Sequence, residues 1–171
     1  NANSNSAYGN AVAVDGDTAV IGAVNESSNQ TTITNGPGAP SDSLASQAGA
    51  VYVLRRVLGV WTEEAYLKAP FVDPSDKFGY WVAIDGDTIA VGAFGEDSNQ
   101  TSITNGPSAS SDNSVSFAGA VYVFKRSGNT WAQQAYLKPP TVYSGIVFGS
   151  SVAISGDTLV VGAYFEDSGI G

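Results

Sequence analysis

Short apolar runs alternate with polar, glycine-rich breaks along the whole chain, and no stretch sustains the 3.6-residue period of a helix. Trp81-Val82-Ala83-Ile84 and Thr88-Ile89-Ala90-Val91-Gly92-Ala93 are β-branched runs on either side of Asp85-Gly86-Asp87. Asp-Gly between two such runs predicts a tight hairpin, with positive φ expected at both central positions. A polar loop follows from Gly95 to Phe117, rich in Ser, Asn, Thr and Gly, and this composition predicts that it lies outside the core. The strand signal resumes at Ala120 to Phe124 and turns at Ser127-Gly128-Asn129. It then continues from Trp131 to Leu137, where Pro139-Pro140 ends it. The pattern therefore predicts four strands joined by tight turns and one long loop.

The same pattern returns every 70 residues without slipping. Tyr8-Gly9, Phe78-Gly79 and Phe148-Gly149 are in register, and so are the turns around Gly16, Gly86 and Gly156. Ala48-Gly49-Ala50-Val51-Tyr52-Val53 recurs as Ala118-Gly119-Ala120-Val121-Tyr122-Val123, and Ala65-Tyr66-Leu67-Lys68 as Ala135-Tyr136-Leu137-Lys138. A fixed period of this size means supersecondary units that bury their faces against one another. The units run 8–77, 78–147 and 148–171, after a polar segment 1–7, so the last holds only the first half of a unit. The chain is accordingly expected to be a segment of a longer protein. Four-stranded antiparallel units of equal length predict an all-β, β-propeller-type array of two full blades and a partial third. A β-solenoid, which needs shorter coils, ranks below it.

Phe78-Gly79, Val82-Ala83-Ile84, Val91-Gly92-Ala93 and Gly119-Ala120-Val121-Tyr122 together resemble an FG-GAP repeat, the blade of integrin α-subunit propellers and of many bacterial surface proteins. The resemblance spans residues 8 to 168, although Val24, Phe94 and Tyr164 stand where the family has Pro. It implies that the first strand of each blade lies nearest a central axis, that loops recognise protein or glycan ligands, and that the protein acts outside the cell or at its surface. Two blades and a half cannot close a ring, so the free side of the second strand in the third unit, Leu159 to Ala163, is expected to be covered by further blades of the same chain or by neighbouring subunits. A non-enzymatic adhesion or binding scaffold is the expected function. The alternative is a structural subunit of an extracellular fibre or sheath, assembled through the open blade ends.

Composition narrows the chemistry. Cysteine and histidine are absent, which removes thiolate nucleophiles, disulfides, imidazole bases and the usual zinc ligands. A net charge of −9 with seven scattered basic residues argues against nucleic acid or anionic lipid as partner. No apolar run approaches the roughly 20 residues of a membrane helix, so no membrane insertion is expected.

The candidate sites lie mostly in the long loop. Integrin-type blades hold calcium between strands one and two, but here that connection is only Asp85-Gly86-Asp87-Thr88, too short to wrap an ion. Glu96, Asp97 and Asn99, with Asp112 further on, offer oxygens either to a hard cation such as Ca²⁺ or to ordinary loop hydrogen bonds. No other cofactor is expected. Glu96-Asp97 and Glu166-Asp167 are paired carboxylates, but neighbours in an extended segment point apart and a catalytic pair has no reason to recur, so no catalytic residue is assigned. Asn25, Asn29 and Asn99 head N-glycosylation triplets. Trp61 and Trp131 repeat at equal spacing and read as packing between blades. Trp81 stands where the other units have Ala11 and Ser151, which marks it as an individual ligand contact or as a further core residue.

Overall fold

The computed structural model describes residues 5–165. The first blade contains β1 (Tyr8–Asp15), β2 (Thr18–Ala23), β3 (Thr34–Asn35), β4 (Ala50–Val57) and β5 (Val60–Leu67). The second repeats it as β6 (Phe78–Asp85), β7 (Thr88–Ala93), β8 (Thr104–Asn105), β9 (Ala120–Ser127) and β10 (Thr130–Leu137). β11 (Phe148–Ser155) and β12 (Thr158–Ala163) begin the third. The sheet orders are β1-β2-β4-β5-β3, β6-β7-β9-β10-β8 and β11-β12, with antiparallel pairing between neighbours. The chain is all-β and built of propeller-like blades, as the repeat predicts.

Two details depart from the sequence reading. The long loop is not wholly outside the core. It contributes the two-residue strand that caps the outer edge of each full blade, and Glu26, Ser28, Glu96, Ser98 and Ala118 near its ends are buried. In the Asp-Gly turns only the glycine takes positive φ, +52° at Gly16, +56° at Gly86 and +55° at Gly156, while the following Asp does not. A glycine at the first central position alone is the requirement of a II′ turn, not of the I′ turn that positive φ at both positions would make.

The hydrophobic core lies between sheets. Val20, Val51, Val53 and Leu67 of the first blade pack with Phe78, Ile89, Val91, Tyr122, Phe124 and Trp131 of the second in one cluster. A single blade has nothing to bury its face against, as in other stacked repeats. The innermost strands β1, β6 and β11 lie side by side, the arrangement expected of strands around an axis.

The Phe-Gly and Gly-Ala dipeptides make the seam. Gly49 forms a parallel bridge to Phe78, and Gly119 an equivalent one to Phe148. The Phe78 amide donates to the Ala48 carbonyl at 2.9 Å, while its ring meets Tyr122 and Phe124 edge-on at 5.3 and 6.0 Å. A Cβ at Gly49 would stand 2.0 Å from the Phe78 carbonyl oxygen, so no side chain fits there.

Burial differs between equivalent positions according to whether a blade lies in front of them. Val82 is 7% exposed, whereas Val12 is 69% exposed. At the other end, β12 pairs only with β11 among the described residues.

Candidate functional site

The second blade's innermost strand carries a bulge. Pairing jumps from Phe78↔Ala93 to Trp81↔Gly92, leaving Gly79 and Tyr80 outside the ladder and turning the side chains that follow. Tyr80 and Trp81 emerge at the seam with the third unit, beside Phe94 at the end of β7. With Val147, Ser150, Ser151, Tyr164 and Phe165 they line a cleft of about 540 Å³. Ligand pockets commonly fall between roughly 300 and 1,000 Å³.

The rings brace one another. Tyr80 meets Phe94 edge-on at 4.4 Å and Trp81 at 6.1 Å, Phe94 stacks on Phe117 at 6.3 Å, and Tyr164 meets Phe165 at 4.6 Å. The Tyr143 hydroxyl donates to the Phe165 carbonyl at 2.8 Å, tying down that end of the cleft. Trp81 remains 45% exposed, so the structure places it in the cleft and not in the core. No charged side chain lines the cleft; Ser150 and Ser151 add hydroxyls.

The seam between the first and second blades has no such aromatic wall. There Asn10 replaces Tyr80 and fills the place as a polar staple. Its Nδ2 donates to the carbonyls of Gly79 and Tyr80 at 3.3 and 3.0 Å, and its Oδ1 accepts the Val24 amide at 3.0 Å. The fold is satisfied by Asn10, Ala11 and Val24 at positions that become Tyr80, Trp81 and Phe94, so blade stacking does not require the aromatic set.

The loop carboxylates have other employment. Glu96 Oε1 accepts the Tyr136 hydroxyl at 2.8 Å and Oε2 accepts Lys138 Nζ at 2.6 Å, all three side chains being buried. Ser98 completes the group through a 2.7 Å contact of its hydroxyl with that of Tyr136. The first blade repeats the arrangement: Tyr66 donates to Glu26 Oε2 at 2.8 Å, and Lys68 Nζ donates to the same oxygen at 3.3 Å and to the Gly49 carbonyl at 2.6 Å. Burial, reinforced by the neighbouring glutamate, pushes the Tyr66 and Tyr136 hydroxyls far above the ordinary phenol range, so they remain donors. Burial pulls Lys68 and Lys138 down, and the glutamates oppose it. These ion pairs root each long loop on the last strand of its blade. The recurrence of Tyr-Leu-Lys with a glutamate in register was their sequence signal.

Asp97 Oδ1 accepts the Phe117 amide at 2.6 Å. Asp112 Oδ2 accepts the amide and hydroxyl of Ser114 at 3.1 and 2.7 Å, and these bonds hold its carboxyl below the usual range. Asn99 is exposed. Among the described residues no three acidic side chains gather around one point. With Glu96 committed to a buried ion pair, this donor set does not fit a calcium ion, and no step is assigned to one. Glu166 and Asp167 lie outside the described residues.

Of the glycosylation triplets, Asn29 and Asn99 are exposed. Asn25 is half-buried, and its side-chain oxygen accepts Lys77 Nζ at 3.0 Å. Asp76 stood outside the sequence reading. It is buried at the seam, accepts the Asp73 amide at 2.9 Å, and is pushed up to about 8, first by burial.

Antiparallel units of four main strands and a short edge strand that stack face to face, stitched by Phe-Gly on Gly-Ala, define a propeller-type blade array. The FG-GAP repeat model matches residues 1–36, 61–124 and 131–171, and the chain belongs to the FG-GAP repeat family. No curated protein matches it. FG-GAP repeats are typically non-catalytic and typical of extracellular or surface proteins.

Proposed function

We propose that this FG-GAP array is a non-enzymatic extracellular binding scaffold serving adhesion, and that it takes a protein or glycan ligand at the aromatic cleft between the second blade and the third. The cleft carries the reading. Exposed rings that the fold does not need, gathered in a concavity of ligand size, are the usual mark of an interaction site. Its uncharged lining suits a neutral group that offers an apolar face to the rings and hydroxyls to Ser150 and Ser151.

Binding to a panel of immobilised neutral oligosaccharides and glycoproteins, measured by surface plasmon resonance, tests it. Saturable binding that falls at least tenfold in Trp81→Ala, with an unchanged melting temperature, is the expected result. Binding that survives Trp81→Ala and Tyr164→Ala intact would remove the cleft from the account.

A second reading, a structural subunit assembled through open blade ends, draws on the exposed face of the first blade and on β12, which pairs on one side alone among the described residues. Sedimentation separates the two readings, since a fibre subunit associates with itself and a scaffold segment does not.

A further inference from the structure

The aromatic cleft is rich in unused hydrogen-bond donors and poor in acceptors. Tyr80, Trp81, Ser151 and Tyr164 line it, and their side-chain donors make no hydrogen bond among the described residues. An indole N–H only donates, and a hydroxyl donates as readily as it accepts. No carboxylate or carboxamide lines the cleft. The carbonyls of Tyr80, Val147 and Phe165 are already taken by the Asn10 carboxamide, the Ser150 amide and the Tyr143 hydroxyl, at 3.0, 3.2 and 2.8 Å. The Ser150 hydroxyl is turned to the Gly162 carbonyl at 3.4 Å. The fold does not require these donors, since Asn10 and Ala11 stand at the positions of Tyr80 and Trp81 in the first blade.

A fitting ligand brings apolar surface for the rings, acceptors for the donors, and few donors of its own, because a buried N–H or O–H without an acceptor costs its desolvation. An ordinary peptide carries an N–H at every residue, and a sugar carries a hydroxyl at nearly every carbon. A run of prolines has no backbone N–H, keeps every carbonyl free to accept, and presents apolar pyrrolidine rings. It is also held beforehand in the polyproline II helix, which makes no internal hydrogen bonds, so docking freezes little chain entropy.

We propose that the cleft takes an uncharged, proline-rich segment of a partner protein in the polyproline II conformation. Its pyrrolidine rings pack on Tyr80, Trp81 and Phe94, and its carbonyls accept from the Trp81 indole and from the Ser151 and Tyr164 hydroxyls. The proposal rests on the reading of the cleft as the binding site, and selects the protein ligand over the glycan by the direction of the hydrogen bonds.

A blocked oligoproline peptide and a blocked Ala-Gly-Ser peptide of equal length, titrated against the native chain beside a panel of neutral oligosaccharides, test it by surface plasmon resonance. The oligoproline is expected to bind saturably and the Ala-Gly-Ser peptide not to. Trp81→Ala should weaken the oligoproline by at least tenfold. Trp81→Phe and Tyr164→Phe each keep a ring and remove only a donor, and each should weaken it several-fold with an unchanged melting temperature. Full affinity in the variant carrying both Phe substitutions would show that the donors do not select the ligand, and would overturn the proposal. Oligoproline binding no better than that of the Ala-Gly-Ser peptide would overturn it as well. If an oligosaccharide then binds and Trp81→Ala abolishes that binding, the cleft stands as the site and only the proline ligand is lost. If no probe binds in a way that the cleft variants change, the site and its ligand fall together.

Discussion

Asp15, at the end of the first blade's innermost strand, accepts the backbone amide of Gly86, the turn glycine of the next blade, at 2.7 Å. Asp85 holds Gly156 in the same way. The hairpin turn is therefore a local conformation and also a point of attachment between blades.

Gly86→Val tests the local part. Gly86 sits at φ +56° with nothing within 4 Å of where a Cβ would be, so the cost comes from backbone conformation and not from a clash. A β-branched residue forced to positive φ is expected to destabilise by about 1–2 kcal/mol, while Asn costs much less. Thermal melts of both variants check this, and a Val variant as stable as the Asn variant would contradict it.

Leu58 gives the opposite sign. It precedes Gly59 in the outer hairpin of the first blade, and both take positive φ, +51° and +82°, as a I′ turn requires. Leu58 is fully in solvent and packs on nothing that would offset this strain. Leu58→Asn is expected to raise stability by about 0.5–1 kcal/mol, read as a higher denaturant midpoint with an unchanged slope.

The Glu96–Lys138 pair predicts a strong asymmetry between single and double variants. Glu96→Gln leaves a buried ammonium without its counter-ion and is expected to cost about 3 kcal/mol or more. Glu96→Gln combined with Lys138→Met removes both charges and should recover much of that loss. Treatment with EDTA is expected to leave the native chain's melting unchanged, because the loop is rooted by an ion pair. A large drop on chelation would show the loop oxygens holding a cation.

Asp76 predicts how stability depends on pH. Its folded carboxyl titrates near pH 8, well above an unfolded aspartate at about 4, owing to burial and to the nearby carboxylates of Asp73, Glu96 and Asp97, against which the Asp73 amide works. Its contribution is fully present below about pH 4 and shrinks as pH rises toward 8, because the unfolded chain gives up this proton and the folded one holds it. Unfolding free energy should fall between pH 5 and pH 8 by about 1–3 kcal/mol more in the native chain than in Asp76→Asn. Parallel curves for the two would dissociate Asp76 from the effect.

How much of this was legible in the sequence depends on the range of the cause. Strand runs flanking Asp85-Gly86-Asp87 and the register of Phe-Gly are local signals repeated in phase, and blades follow from them. The edge strand Thr34–Asn35 has no pattern of its own, since two polar residues pair only because β5 offers an edge. Lys138 reads as a surface residue until its glutamate, 42 positions away, is brought beside it. Trp61 and Trp131 occupy equivalent positions, and only the presence of a blade in front distinguishes exposed from buried. Trp81 was legible as a break in the pattern, but its aromatic neighbours come from three separate segments that the bulge and the seam assemble.

The seam contacts bear on how such a chain can lengthen. Asn10 reaches Tyr80, Asp15 reaches Gly86, and Gly49 bridges Phe78, each spanning about one repeat or less. Copying a stretch of 70 residues therefore regenerates the Gly-to-Phe bridge and the Asp-to-turn-glycine bond at the join, because both already recur at each seam. Unequal recombination between such genes yields a chain with one blade more or fewer and no new junction to be invented. Copy number can then drift freely, while the Glu64–Arg126 contact, which differs from blade to blade, limits which copies sit well beside each other.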